Sequence, residues 1–433
     1  MIRKNIYPGE NVLTVSKKHE ASLGYFWYGF AVYLLFFFLA SAETDWLSAA
    51  SCQGFQIIGF ILMIAGSISL MKFKFDSKYL QTLFTINILY SVTIVLRGSQ
   101  YDFNSLKQMF LDITFGIWPY FASVVLLLPR NIKSYKKIFM VLVALGVCFL
   151  LGVVLFYDTL HDYDRLNLVS QGLVENLTSI LALPIGFILL NYVYHTSKKG
   201  GFFGKVGMKN IFALVVMGVA LFFSIFRARR GLIFINGSTL VCVGMIYVIT
   251  TKKKALIISM AVVLALVAST VVAGMKTPAM FNFLIDRGEE DTRSGVEDYM
   301  YADMSSNDWV IGKGIKGKYY CPIVDNVNDA EGAGFRDNIE TGYLQIILKG
   351  GVLSLALLLG MLVPAVYKGF FKSKNVLSKA AAMWVFLWIV YLYPTGGLVF
   401  NMSYVLVWIA AGICYSDKIR ELSDETIKAH LQN

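Results

Sequence analysis

Charge is scarce in this sequence. Only 15% of its 433 residues are Asp, Glu, Lys or Arg, against about 25% in soluble globular domains. A chain so poor in charge cannot cover a water-facing surface. With 57% hydrophobic residues and a mean hydropathy of +0.61, its natural solvent is lipid. Histidine (4) and cysteine (5) are few, and no CxxC or other metal-type spacing occurs, so neither a metal centre nor a disulfide framework is expected. Cys148, Cys242 and Cys414 fall in apolar runs and read as small hydrophobes. Cys52 and Cys321 fall in loops expected on the outer side, where a disulfide between them is left open. A cleavable signal is not expected: a largely polar stretch of about twenty residues precedes the first apolar run, which lacks a small-residue cleavage site. There is no internal repeat. The run Gly312 to Lys318 is not a phosphate-binding P-loop, because no Ser or Thr follows its lysines, and it reads as a tight turn.

What is present is a succession of apolar runs of spanning length, which needs about twenty residues. They lie near 23–41, 54–71, 80–96, 109–128, 138–157, 172–194, 210–226, 232–250, 255–274, 341–366, 379–397 and 401–415. This predicts an all-α integral membrane protein of about twelve transmembrane helices. Residues 1–274 hold the first nine, 275–340 form one large extracytoplasmic loop, 341–415 hold the last three, and 416–433 form a cytoplasmic tail. The net charge of +11 is read against this topology rather than as a nucleic-acid footprint. Lysine and arginine collect in alternate loops, which puts both termini in the cytoplasm by the positive-inside trend.

Three groups of residues depart from plain membrane chemistry. Arg227, Arg229 and Arg230 crowd a tight turn between two spans on the side where cations are disfavoured. Snorkelling to headgroups accounts for one arginine comfortably, whereas three suggest an anion to be held. Planar guanidinium forks suit pyrophosphate. Arg293 and Arg336 lie in the large loop and could converge on the same group. Glu340 stands where that loop re-enters the membrane. It is read either as a helix-start carboxylate or as a general base, with partial burial raising its pKa and the arginines lowering it. Asp112 and Glu175 are expected within helices near their outer ends, lining a polar cleft or pairing with the outer arginines, with Lys349 as a possible partner for one of them. Asp158, His161, Asp162 and Asp164 read as a solvated loop rather than a cation site.

These stretches resemble a known family. Phe223-Ser-Ile-Phe-Arg-Ala-Arg-Arg-Gly231, Asp291-Thr-Arg-Ser-Gly295 with Trp309-Val-Ile-Gly-Lys-Gly314, and Glu340-Thr-Gly-Tyr-Leu-Gln345 with Gly350-Gly-Val-Leu353 are similar, in order and spacing, to motifs of the bacterial O-antigen polymerase and ligase superfamily. Ligases of that family carry His and Asn where this chain has Glu340 and Thr341, which favours the polymerase branch. The resemblance implies a metal-independent membrane glycosyltransferase without cofactors. It would polymerise undecaprenyl-pyrophosphate-linked oligosaccharide repeat units into O-antigen, capsular or exopolysaccharide at the outer face of the inner membrane. It implies Glu340 as base and Arg293 as a second catalytic group, with Arg227, Arg229, Arg230 and Arg336 on the pyrophosphate. A chain-length regulator and a flippase would be its protein partners, and nucleic acid would not be one. The competing expectations are an O-antigen ligase acting on lipid A-core and, in another class, a lipid-linked oligosaccharide flippase or transporter.

Overall fold

The computed structural model describes residues 17–41, 48–71, 73, 75, 77–98, 102–157, 160, 178–190, 208–226, 229–250, 293–323, 334–394 and 398–432. Apart from one pair of two-residue strands, these residues form helices and turns. The first half contains α1 (Lys17–Ser41), α2 (Ala49–Ile68), α3 (Lys78–Gly98), α4 (Phe103–Leu111), α5 (Trp118–Phe121), α6 (Ile132–Leu155), α7 (Thr178–Leu190), α8 (Met208–Phe226) and α9 (Arg230–Thr250). Then come α10 (Ser294–Asp303), α11 (Ser306–Ile311), the antiparallel strands β1 (Tyr319–Tyr320) and β2 (Phe335–Arg336), α12 (Gly342–Phe371), α13 (Val376–Tyr391), α14 (Met402–Tyr415), α15 (Asp417–Glu421) and α16 (Asp424–Gln432).

Six of these helices, α1, α2, α3, α6, α8 and α12, contain stretches long and apolar enough to cross a membrane, and α7, α9, α13 and α14 are shorter apolar helices. The protein is an all-α, membrane-embedded chain. Large apolar side chains such as Tyr28, Ile61, Leu89 and Val154 stand exposed on the helix surfaces, where lipid satisfies them. The inner faces close on one extended core that includes Tyr33, Trp408 and Tyr415. At the α1–α2 contact a Cβ on Gly29 would lie 2.4 Å from the Gly59 carbonyl. Only glycine lets two backbones approach so closely, a common device where water cannot drive helices together.

Several expectations are corrected here. The run 109–128 is not one helix. It divides into α4, a turn over 112–117, and Trp118–Leu127, whose last six residues are 3-10 helix. Asp112 causes the break: it is the C-terminal cap residue of α4, and its carboxylate accepts from the Thr114 and Phe115 amides at 3.0 and 2.9 Å. It therefore does not lie within a helix. Cys52 sits in the first turn of α2 rather than in a loop, and both Cys52 and Cys321 are buried free thiols, so no bridge joins them. The span 255–274, Arg227, Glu175 and the acidic group at 158–164 lie outside the described residues.

The feature that positions the site is a break inside α12. Gly351 has φ 66° and ψ 179°, so the helical ladder stops there and restarts. The carbonyls this frees cannot be left bare in an apolar environment. The Leu348 carbonyl accepts from the Lys313 amide at 2.8 Å, that of Lys349 from the Gly314 amide at 2.9 Å, and that of Gly350 from the Tyr90 hydroxyl at 2.8 Å. Gly312 and Gly314, both at positive φ, let the loop backbone reach them. Arg97 ties the same loop to the end of α3 by donating to the Ile311 carbonyl at 2.6 Å. A second small core of Met300, Met304, Tyr319, Cys321, Ile339, Leu344, Ile347 and Leu348 packs the described part of the loop onto the first half of α12.

Candidate functional site

The site is built around the entry to α12. Gln345, one turn in, accepts from the Ile339 amide at 2.8 Å and donates to the Asp337 carbonyl at 3.2 Å. This pins the strand-like approach that carries Arg336, Asp337 and Glu340. Thr341 donates its hydroxyl to Glu297 of α10, and the Gly342 amide donates to the Leu392 carbonyl at 2.7 Å. The loop, the helix start and the turn after α13 are thereby joined.

Arg293 is brought to Glu340. Its Nε lies 3.3 Å from a Glu340 carboxylate oxygen, and an Nη donates to the Pro394 carbonyl at 2.9 Å. A Cβ added at Gly231 would lie 3.4 Å from that same Pro394 oxygen. The turn carrying Arg229 and Arg230 thus abuts the segment that orients Arg293. Arg229 is half-buried and Arg230 exposed. The expected burial of Glu340 is not found: its side chain is 64% exposed and that of Arg293 is 35% exposed. A pair this open is worth about 0–1 kcal/mol of stability. Its consequence is positional, since one carboxylate oxygen is engaged by Arg293.

Glu340 also faces a cavity of about 630 Å³, within the range of roughly 300–1,000 Å³ usual for small-ligand sites. Its walls are α4 and the following turn, the loop at 315–316, the approach 336–340, the first half of α12, and Leu398–Val399. Three cations (Lys316, Arg336 and Lys349) and three carboxylates (Asp112, Asp337 and Glu340) line it, together with the amides Gln108, Asn338 and Gln345 and the aromatic Tyr120. Arg229, Arg230 and Arg293 are not among its lining residues. Of the four arginines described, only Arg336 lines the cavity; Arg293 meets the same Glu340 by its ion pair. On the outward side α4 exposes Phe103, Phe110 and Leu111, as an interfacial amphipathic helix does, while its Gln108 and Met109 face the cavity.

Beside the cavity Tyr319 pairs across the strands with Arg336. Burial pushes its phenol up to about 12, and the nearby Arg336 charge opposes that rise. Among the described residues no group of three His, Cys, Asp or Glu gathers to hold a metal ion. Sequence reasoning missed Lys316, Asp337, Asn338 and Gln108, which look like ordinary solvated residues in a linear reading. Asp112 does line a polar cleft, as expected; Lys349, expected as a partner for one of the acids, lines the same cavity, and no ion pair joins the two among the described residues. No protein-family model, no curated protein and no solved structure matches this chain.

Proposed function

We propose that this chain is a membrane glycosyltransferase that elongates a polyprenyl-diphosphate-linked oligosaccharide, passing a growing glycan onto the sugar of a new lipid-linked repeat unit. The observation that carries the reading is Glu340, oriented by Arg293 and lining a polar cavity where a loop enters an apolar helix. In this reading the chain crosses the bacterial inner membrane about twelve times with both termini in the cytoplasm. The cavity then opens at the outer face, and the carrier is undecaprenyl pyrophosphate.

The free oxygen of Glu340 takes the proton of the acceptor hydroxyl. The acceptor oxygen attacks the anomeric carbon of the donor, and the bond from that carbon to the diphosphate oxygen breaks. Its electron pair stays on the departing lipid diphosphate, facing Arg293 and the turn at 229–230. A positioned base typically contributes about 10²–10⁴ in rate. Charge-assisted hydrogen bonds of roughly 1.5–3 kcal/mol each on the leaving group supply a large part of an enzymatic barrier reduction of about 8 kcal/mol or more. The apolar face of α4 suits a substrate that arrives by its lipid tail.

The test is glycan analysis of cells carrying Glu340→Gln or Arg293→Ala at wild-type expression. Single repeat units in place of long chains are expected. Normal chain length in both variants rejects the assignment. Full-length chains that accumulate on their lipid carrier point to a ligase instead.

A further inference from the structure

Lys349 is a buried ammonium, 8% exposed, in the first half of a membrane-type helix, and it faces the cavity. Among the described residues its hydrogen bond is to a backbone oxygen, the Gly317 carbonyl at 2.9 Å. The neighbouring Arg336 has a buried Nε with no partner among the described residues. Lys316, the third cation on this wall, donates to the neutral Gln108 amide oxygen at 3.1 Å. Among the described residues no carboxylate lies within ion-pair distance of any of the three. Two of the three acids in the cavity are engaged elsewhere: Asp112 by the Thr114 and Phe115 amides, and Glu340 by Arg293. Asp337 alone is left to oppose them. Taking a charge out of water without a partner is costly, and an ionisable group kept inside a membrane segment points to function.

We infer that Lys349, Arg336 and Lys316 form an oxyanion subsite in the cavity that Glu340 also lines, taking an acidic group carried by the acceptor saccharide. Two sources offer that chemistry: the carboxylate of an acidic sugar, or the phosphate of the acceptor's own lipid diphosphate. The identity of the ligand rests on the glycosyl-transfer reading; the anion site itself does not. The amides Gln108 and Asn338 on the same walls would take the neutral hydroxyls around the acidic group. Glu340 lines the same cavity, which puts the base beside the acceptor held there.

The full chain in lipid nanodiscs is titrated with methyl glucuronide, inorganic pyrophosphate and, as the neutral control, methyl glucoside, following thermal protection. At least one anion binds and protects while the glucoside does not. Affinity falls at least tenfold in Lys349→Met and several-fold in Lys316→Ala, whose more peripheral side chain guards against a folding defect in the first variant. Tighter glucuronide identifies an acidic sugar, and tighter pyrophosphate the lipid diphosphate. The subsite is overturned if neither anion surpasses the glucoside, or if both variants bind like the parent. Anion binding by a chain that makes no polymer would retain the subsite and discard the polymerase. Polymer formation without anion binding would do the reverse.

Discussion

Replacing Gly351 by alanine tests how the site is held together. The backbone there has φ 66° and ψ 179°, a region that only glycine occupies without strain, at about 1–3 kcal/mol for another residue. The new methyl would also sit 2.1 Å from the Val310 carbonyl, so loop and helix must part. Parting them endangers the bonds from Lys313 and Gly314 to the Leu348 and Lys349 carbonyls, and that from Tyr90 to Gly350. Each is worth about 0.5–1.5 kcal/mol. Losing two of the three on top of the backbone strain gives a destabilisation of about 4 kcal/mol, a large share of the 5–15 kcal/mol typical of a folded domain. The control is Gly237→Ala in α9, where an added Cβ meets nothing within 4 Å and helix propensity gains up to about 1 kcal/mol. Thermal and denaturant unfolding in nanodiscs, with protease sensitivity of residues 293–323, reads both. Equal stability of the two variants would mean that the broken helix and its loop cap are not the structure's organising contact.

Two other measurements bear on the same region. Tyr319 keeps its proton more tightly when folded, its phenol standing near 12 against an ordinary value of 10. Its contribution to stability is therefore whole below pH 10 and is lost as pH climbs to about 12. Tyr319→Phe should remove a tyrosinate absorbance step near that upper value, and loss of a step near pH 10 instead would contradict its burial. Because Cys52 and Cys321 are both free thiols, reductant should leave the unfolding midpoint unchanged, whereas a fall of several degrees would betray a bridge.

The division of labour between sequence and tertiary structure is visible in particular residues. Lipid as the solvent was legible from composition, because 15% charge cannot clothe a soluble surface. Six helices long and apolar enough to cross a membrane were legible too, since an isolated helix in hydrocarbon must satisfy its own backbone, and apolar length alone reports it. Glu340 stood out where the large loop re-enters the membrane and Arg293 as a loop arginine, yet their 3.3 Å approach spans 47 positions, a separation no local pattern encodes.

The break at 112–117 was missed because hydropathy does not register Asp112 as a backbone acceptor when apolar residues surround it. The Gly350–Gly351 pair was visible as glycine, but not as a broken helix: that depends on loop amides from 313–314 arriving to satisfy the freed carbonyls. The sequence by itself determined the solvent, the helical class and which charges were out of place. Only the tertiary structure decided that Arg293 meets Glu340 and that Arg336 and Lys349 line one cavity. Hydropathy is a property of each segment alone, whereas pairing and burial of charge depend on which distant segments meet.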